Sequence, residues 1–273
     1  MSVKIDRKNV METFKNYTSA YDTSDEKIKL KIYHTYRVAE LCERIAKSEG
    51  MPKEETDLAW LLGMLHDIGR FEQLRRYGTF IDAESVDHAA LGADILFGGR
   101  ACLESETPGD GTIRNYISEK EEDSLIERAI RVHSAYRIPD NLDERTEKFF
   151  HILRDADKID ILRVNVEVPL EEIYNTTTDE LRNAVVTPEV EQSFYEHHAV
   201  LRNLKRTPVD HVVGHGSLVF ELVFPESLCI VKEQGYLEKL LNFVSKNPKT
   251  MEQFARLRQD MANYLSQSFA PDN

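Results

Sequence analysis

The segment Leu65-His66-Asp67-Ile68-Gly69 closes an apolar run with helical spacing, and it puts an imidazole and a carboxylate where the chain otherwise buries hydrocarbon. A charge there is costly unless it is paired or bound to a metal. One such pair says little, because an isolated histidine on an apolar helix face is more often a hydrogen-bonded core residue. Here the pair belongs to a series: His34 precedes it, and His88, His133 and Asp157 follow, each on a segment that reads as a helix. The pattern calls for a helical bundle whose interior holds polar groups drawn from distant parts of the chain.

The rest of the sequence supports an all-α fold. Residues 6–20 form an opening helix. Thr23 and Glu26 have capping-box spacing and start a helix running to about Glu49, stopped by Gly50, Met51 and Pro52. Thr56 caps a helix through Ile68, with Gly69 at its end, and Ser85 caps another that Gly98-Gly99 ends. Pro108, Gly109 and Gly111 mark a loop over 100–122, with a short element near 113–117. Helices over 123–136 and 144–164 follow. After Pro169, Thr176–Thr178 read as a loop, then helices are expected over 188–204, 208–223, 226–245 and 249–267. The only strand signal is a short ribbon near 76–81. The expected division is a metal-binding core over 1–165 and a helical extension over 166–273, packed on the core and either roofing its cavity or supplying a homodimer surface.

Helical periodicity places the polar residues on inward faces. His34, Val38, Leu41 and Ile45 share a stripe, as do Ala59, Leu62 and His66. His88 lies on the face of Leu91 and Ile95, and His133 continues that of Ile126 and either Ala129 or Ile130. Phe150, Leu153 and Asp157 are spaced by three and four residues, which selects Asp157 over Asp155. Buried polar groups in such number need partners, and a metal supplies one for all of them. Imidazole with carboxylate suits iron, manganese or zinc, with magnesium admitted. Six ligands exceed the need of one catalytic ion with an open position. Two divalent ions bridged by Asp67 account for the count.

Composition narrows the function. A net charge of −13 argues against a nucleic-acid polymer as partner. It leaves room for a nucleotide, since metal ions create a local positive site. Cys42, Cys102 and Cys229 are far apart and odd in number, which fits free thiols in a reducing compartment. The N-terminus has no apolar signal core and no stretch has the length of a membrane span. A soluble, cytoplasmic protein without a membrane partner is expected.

The motifs His34, His66-Asp67 and Ala156-Asp157-Lys158 resemble the HD superfamily of metal-dependent phosphohydrolases over about residues 25–165. Asp87-His88-Ala89-Ala90-Leu91-Gly92 and Ala129-Ile130-Arg131-Val132-His133-Ser134 resemble the two further histidine motifs of its two-metal branch. That branch includes bacterial diadenosine tetraphosphate hydrolases and cyclic-di-GMP phosphodiesterases. The latter usually carry paired histidines at the second of these motifs and a Gly-Tyr-Pro beyond it. His133-Ser134 departs from that pattern and lies closer to the dinucleotide hydrolases.

The resemblance implies a metal-activated hydroxide that cleaves a phosphoester or phosphoanhydride of a nucleotide or other small phosphorylated compound. Asp67 would bridge the metals, and Arg70 and Lys158 would bind the phosphate, Arg70 as a bidentate clamp. Arg75 and Arg76 would extend that surface. Two rivals share the ligand set: a di-iron oxygenase of the myo-inositol oxygenase type, and a nucleotide-binding module without turnover. Asp155 either orients a ligand histidine or pairs with Arg154. Tyr33, Tyr36 and Tyr77 either stack on a substrate ring or pack. His211 and His215, one turn apart, lack the glutamate of a zinc-protease helix and read as structural.

Overall fold

A computed structural model describes residues 4–98, 112–169 and 176–268. Cys102, Gly99, the loop residues Pro108, Gly109 and Gly111, and the tail 270–273 lie outside them. Among the described residues the fold is all-α, with no strand. The chain divides into two compact units, Met1–Asp157 and Lys158–Asn273.

The first unit is built from α1 (Arg7–Thr18), α2 (Glu26–Ser48), α3 (Lys53–Leu65), α4 (Ile68–Tyr77), α5 (His88–Phe97), α6 (Ile113–Tyr116), α7 (Asp123–Val132) and the first part of α8 (Glu144–Glu167). Helices α2 and α3 pack against each other closely enough to exclude a side chain at Gly63, where a Cβ would stand 2.5 Å from Ala39 Cα. Val38, Ala39, Leu61, Leu62 and Leu65 are fully buried, and Phe14, Tyr17 and Phe71 add edge-on aromatic contacts.

Several boundaries differ from those read in the sequence, each for a local reason. Asp25, not Thr23, caps α2, its carboxylate accepting from the Lys27 amide at 2.7 Å. Helix α3 starts earlier, after Pro52, and ends at Leu65. Its expected continuation through Ile68 fails because Asp67 leaves the helical region, with φ −102° and ψ 17°. A new helix, α4, begins after it and takes in Arg76 and Tyr77, and the rest of the expected ribbon, residues 78–81, follows the αL Gly78 without forming a strand. The buried Glu72 holds the last turn of α4, accepting from Arg75 at 2.6 Å and from Arg76 at 2.5 Å. Asp87, not Ser85, caps α5, accepting from the amides of Ala89 and Ala90. Helix α7 stops at Val132 rather than near Tyr136.

The second unit continues with α9 (Thr178–Asn183), α10 (Pro188–Tyr195), α11 (Pro208–Gly216), α12 (Pro225–Gln234), α13 (Tyr236–Leu241) and α14 (Pro248–Ser268). The Thr176–Thr178 loop is the entry to α9, where Thr177 and Glu180 form a capping box. The single helix expected over 226–245 breaks at Gly235, whose φ is +67°. The buried Asp210 accepts from Thr187 Oγ1 at 2.6 Å and from the amides of Thr187 and Arg206 at 2.8 Å. Among the described residues no helix is long and apolar enough to cross a membrane.

Candidate metal centre

The first unit brings the six expected ligands together. His34 comes from the middle of α2, His66 and Asp67 from the junction of α3 and α4, His88 from the first turn of α5, His133 from the end of α7 and Asp157 from α8. His66 is completely buried, and His34, Asp67, His88 and His133 are buried with it. Asp157 is 15 % exposed at its side chain.

The junction at Asp67 explains how two adjacent residues face one centre. On a continuous helix they would diverge by about 100°. Ending α3 at Leu65 and restarting at Ile68 turns the Asp67 carboxylate back toward the imidazole beside it. Helix α4 then packs against α5 through Gly69, where a Cβ would stand 2.3 Å from the His88 carbonyl oxygen. This contact sets His88 opposite Asp67.

The cluster has two halves. In one, His34 Nε2 lies 3.2 Å from His66 Nε2, 3.2 Å from Asp157 Oδ1 and 3.5 Å from Asp67 Oδ2. In the other, His88 Nε2 lies 3.2 Å from His133 Nε2 and 3.5 Å from Asp67 Oδ1, which is itself 3.8 Å from His133 Nε2. Asp67 therefore shows one carboxylate oxygen to each pair of imidazoles. Two compact groups, His34-His66-Asp67 and Asp67-His88-His133, have ligand atoms all within 4.8 Å of one another.

Electrostatics favours neutral imidazoles around ionised carboxylates. Burial pushes His66 below its ordinary value. Burial and Arg70 bring His88 to about 4, and burial and His66 bring His133 to about 4. Burial alone would raise Asp67, but Lys31, His66, Arg70 and His88 outweigh it and hold the carboxyl well below the usual range. Asp157 is held low against burial by the His34 hydrogen bond and the nearby imidazoles.

This donor set fits a divalent cation. His66 Nδ1 donates to the Gly63 carbonyl and His133 Nδ1 to the Ile130 carbonyl, both at 2.7 Å. His88 Nδ1 donates to Asp82 Oδ2 at 2.8 Å. With these protons on Nδ1, the neutral rings turn Nε2 lone pairs inward. The lone pairs of His88 and His133 meet at 3.2 Å, a repulsive arrangement that a shared cation relieves.

The structure places the other expected residues as follows. Arg70 Nη1 is committed to Gln73 Oε1, the Phe80 carbonyl and Asp82 Oδ1, at 2.7 to 2.9 Å, while its Nε stands 3.5 Å from Asp67 Oδ1. Lys158 belongs to the second unit and donates to the Glu221 carbonyl at 3.1 Å. Arg75 and Arg76 bind Glu72. Tyr36 packs edge-on against Phe14, whereas Tyr33 and Tyr77 are exposed. Arg154 donates to the carbonyls of Val132, His133, Ala135 and Tyr136 at the end of α7.

Sequence reasoning missed Lys31, whose Nζ lies 2.7 Å from Asp67 Oδ2. Its position three residues before His34 on the same helix face was the available signal. It also missed Asp82, which lies on a short turn outside any periodic pattern.

A family model described as HD domain matches residues 32–162. The chain carries an HD domain. No curated protein and no solved structure matches the chain. The HD domain spans all six clustered residues, from His34 to Asp157. Its family consists mostly of metal-dependent phosphohydrolases, and the His/Asp groups of this HD domain can hold metal.

Proposed function

We propose that this HD domain is a two-metal phosphohydrolase acting on a nucleotide or another small phosphorylated compound. The supporting observation is the division of Asp67 between two imidazole pairs, with Oδ2 facing His34 and His66 and Oδ1 facing His88 and His133. A second carboxylate, Asp157, completes the first half. Bound divalent ions would acidify water and stabilise charge on phosphoryl oxygens.

The chain's own residues provide the preorganisation. Gly63 and Ile130 carbonyls fix the rings of His66 and His133, so that their Nε2 atoms need not reorient on loading. Asp67, held ionised, offers both oxygens without giving up a proton. Arg70 is a positioning residue in this reading, because Nη1 is spent on Gln73, Phe80 and Asp82 while Nε steadies Asp67.

The test is elemental analysis of the purified chain, followed by phosphate release from a panel of nucleotides and phosphoesters under strictly anaerobic conditions. About two ions per chain, turnover without oxygen, and loss of turnover on chelation are expected. Strict dependence on oxygen and ferrous iron would replace hydrolysis by oxygenation. Tight nucleotide binding without conversion would leave a binding module.

A further inference from the structure

The two halves of the centre are unequally supplied with negative charge. The half containing His34 and His66 has Asp157 Oδ1 and Asp67 Oδ2. Among the described residues, the half containing His88 and His133 has Asp67 Oδ1 alone within 4 Å of its Nε2 atoms, with Asp157 acting on His133 from farther off, and Arg70 Nε stands 3.5 Å from that Asp67 oxygen. A cation in the second half would face one shared carboxylate and a nearby guanidinium.

The missing carboxylate lies behind the ring. Asp82 places Oδ2 at 2.8 Å and Oδ1 at 3.0 Å from His88 Nδ1. It is held in place: Gln73 Nε2 and Arg70 Nη1 each donate to Oδ1 at 2.9 Å, and Gln73 Nε2 also reaches Ser85 Oγ and the Val86 carbonyl. The turn that carries Asp82 is thereby tied to α4, the helix that Asp67 precedes as N-cap. Asp82 and His88 also stand near Asp87, but the Asp87 carboxylate caps α5 through the amides of Ala89 and Ala90, so this trio is better explained as support for His88 than as a third ion site.

We infer that Asp82 is a positioning residue that sets the cation affinity of the His88–His133 half, fixing the His88 tautomer and supplying through the ring the charge that this half lacks. The inference rests on the two-metal reading above. Carboxylate–histidine pairs of this kind change metal affinity by about 10–100-fold when broken. Losing Asp82 should therefore affect one ion and spare the other.

The experiment is calorimetric titration of Mn²⁺ or Zn²⁺ into the chelator-stripped full chain. Asp82→Asn keeps the shape and an acceptor while removing the charge, and Asp82→Glu displaces the carboxylate. Both should weaken one of two ions about 10-fold or more and leave the other within about twofold. Circular dichroism monitors folding, and histidine ¹⁵N spectra should show the His88 Nδ1–H signal of the wild type altered. Should Asp82→Asn fail to fold, Gln73→Leu removes one support of the same carboxylate and should weaken the same ion by a smaller factor. In a His88→Ala background Asp82→Asn should change nothing further. Two unchanged affinities in the folded variant would overturn the inference alone, as would equal weakening of both ions. A wild-type chain that binds no ion would overturn the two-metal reading and this inference with it.

Discussion

Gly69 lies against the His88 carbonyl oxygen so closely that a Cβ on Gly69 would stand 2.3 Å from it. Gly92 N would be 2.6 Å away, so the obstruction is α5 backbone at both contacts and no rotamer change relieves it. Gly69→Ala must push α4 and α5 apart, and with them Asp67 and His88. Overpacking of this kind typically costs about 1–3 kcal/mol. Urea denaturation should show a loss at the upper end of that range, and metal analysis should show fewer ions per chain. Unchanged stability with full metal content would mean the two helices are not held at this separation.

What periodicity could reveal, and what it could not, follows from the same junction. His34 beside Val38 and Leu41, His133 after Ile126 and Ile130, and Asp157 after Phe150 and Leu153 each lie on helices whose apolar stripe marks the inward face. The structure gathers these residues into one cluster. Asp82 gave no such signal, because a short turn has no face. The break at Asp67 is hidden as well, since no proline separates α3 from α4 and Asp67, the N-cap residue of α4, makes no side-chain cap hydrogen bond and turns its carboxylate to the cluster instead. In sequence terms Gly69 signals a helix terminator, whereas in the structure it lets two backbones approach. In the second unit, Thr177 and Glu180 carried a readable capping box, but the threonine run around them read as loop.

Arg154 gathers the carbonyl oxygens at the end of α7, with Nη1 donating to His133 at 3.0 Å and Nη2 to Tyr136 at 3.2 Å. The Val132 carbonyl also accepts from the Ala135 amide, but the His133 carbonyl is buried with Arg154, which is itself 7 % exposed. Arg154→Met keeps much of the volume and removes the donors. Leaving buried acceptors unsatisfied costs about 1–3 kcal/mol. The expected result is a loss of that size in urea denaturation, with weaker binding at the half-site that includes His133. A fully stable variant with native metal affinity would show that water replaces the guanidinium at no cost.

The metal-free protein should lose stability as the pH falls from 7 towards 4. Burial lowers His66, and it lowers His88 and His133 to about 4, with Arg70 and His66 respectively as the next causes. In the unfolded chain these rings take a proton near the ordinary histidine value of about 6.5. Between the two values the unfolded state holds more protons, so stability rises with pH. The contribution is complete above about pH 6.5 and disappears as the folded rings protonate. Asp67 and Asp157 are held below the usual carboxylate range, so their contribution has the same sign and begins to be lost only towards the foot of this window, as the unfolded carboxyls protonate. Urea midpoints of the chelated wild type should fall through the window, and a His88→Gln, His133→Gln variant should fall less steeply. Equal slopes would assign the pH dependence elsewhere.

Lys31 places its ammonium 2.7 Å from Asp67 Oδ2, the oxygen that also faces His34 and His66. In the metal-free protein this contact compensates a carboxylate that is only 3 % exposed. A divalent ion bound to the same oxygen must share it with that positive charge, and like charges at such range oppose each other. Lys31→Met removes the competitor and retains much of the stem. The chelated variant should be less stable than the chelated wild type, because Asp67 has lost its nearest counter-charge. The metal affinity of the His34–His66 half should rise. Calorimetry on both proteins, with urea denaturation in chelator, reads the two effects separately. A fall in affinity on substitution would instead show that Lys31 assists loading, by keeping Asp67 ionised and aimed at the centre.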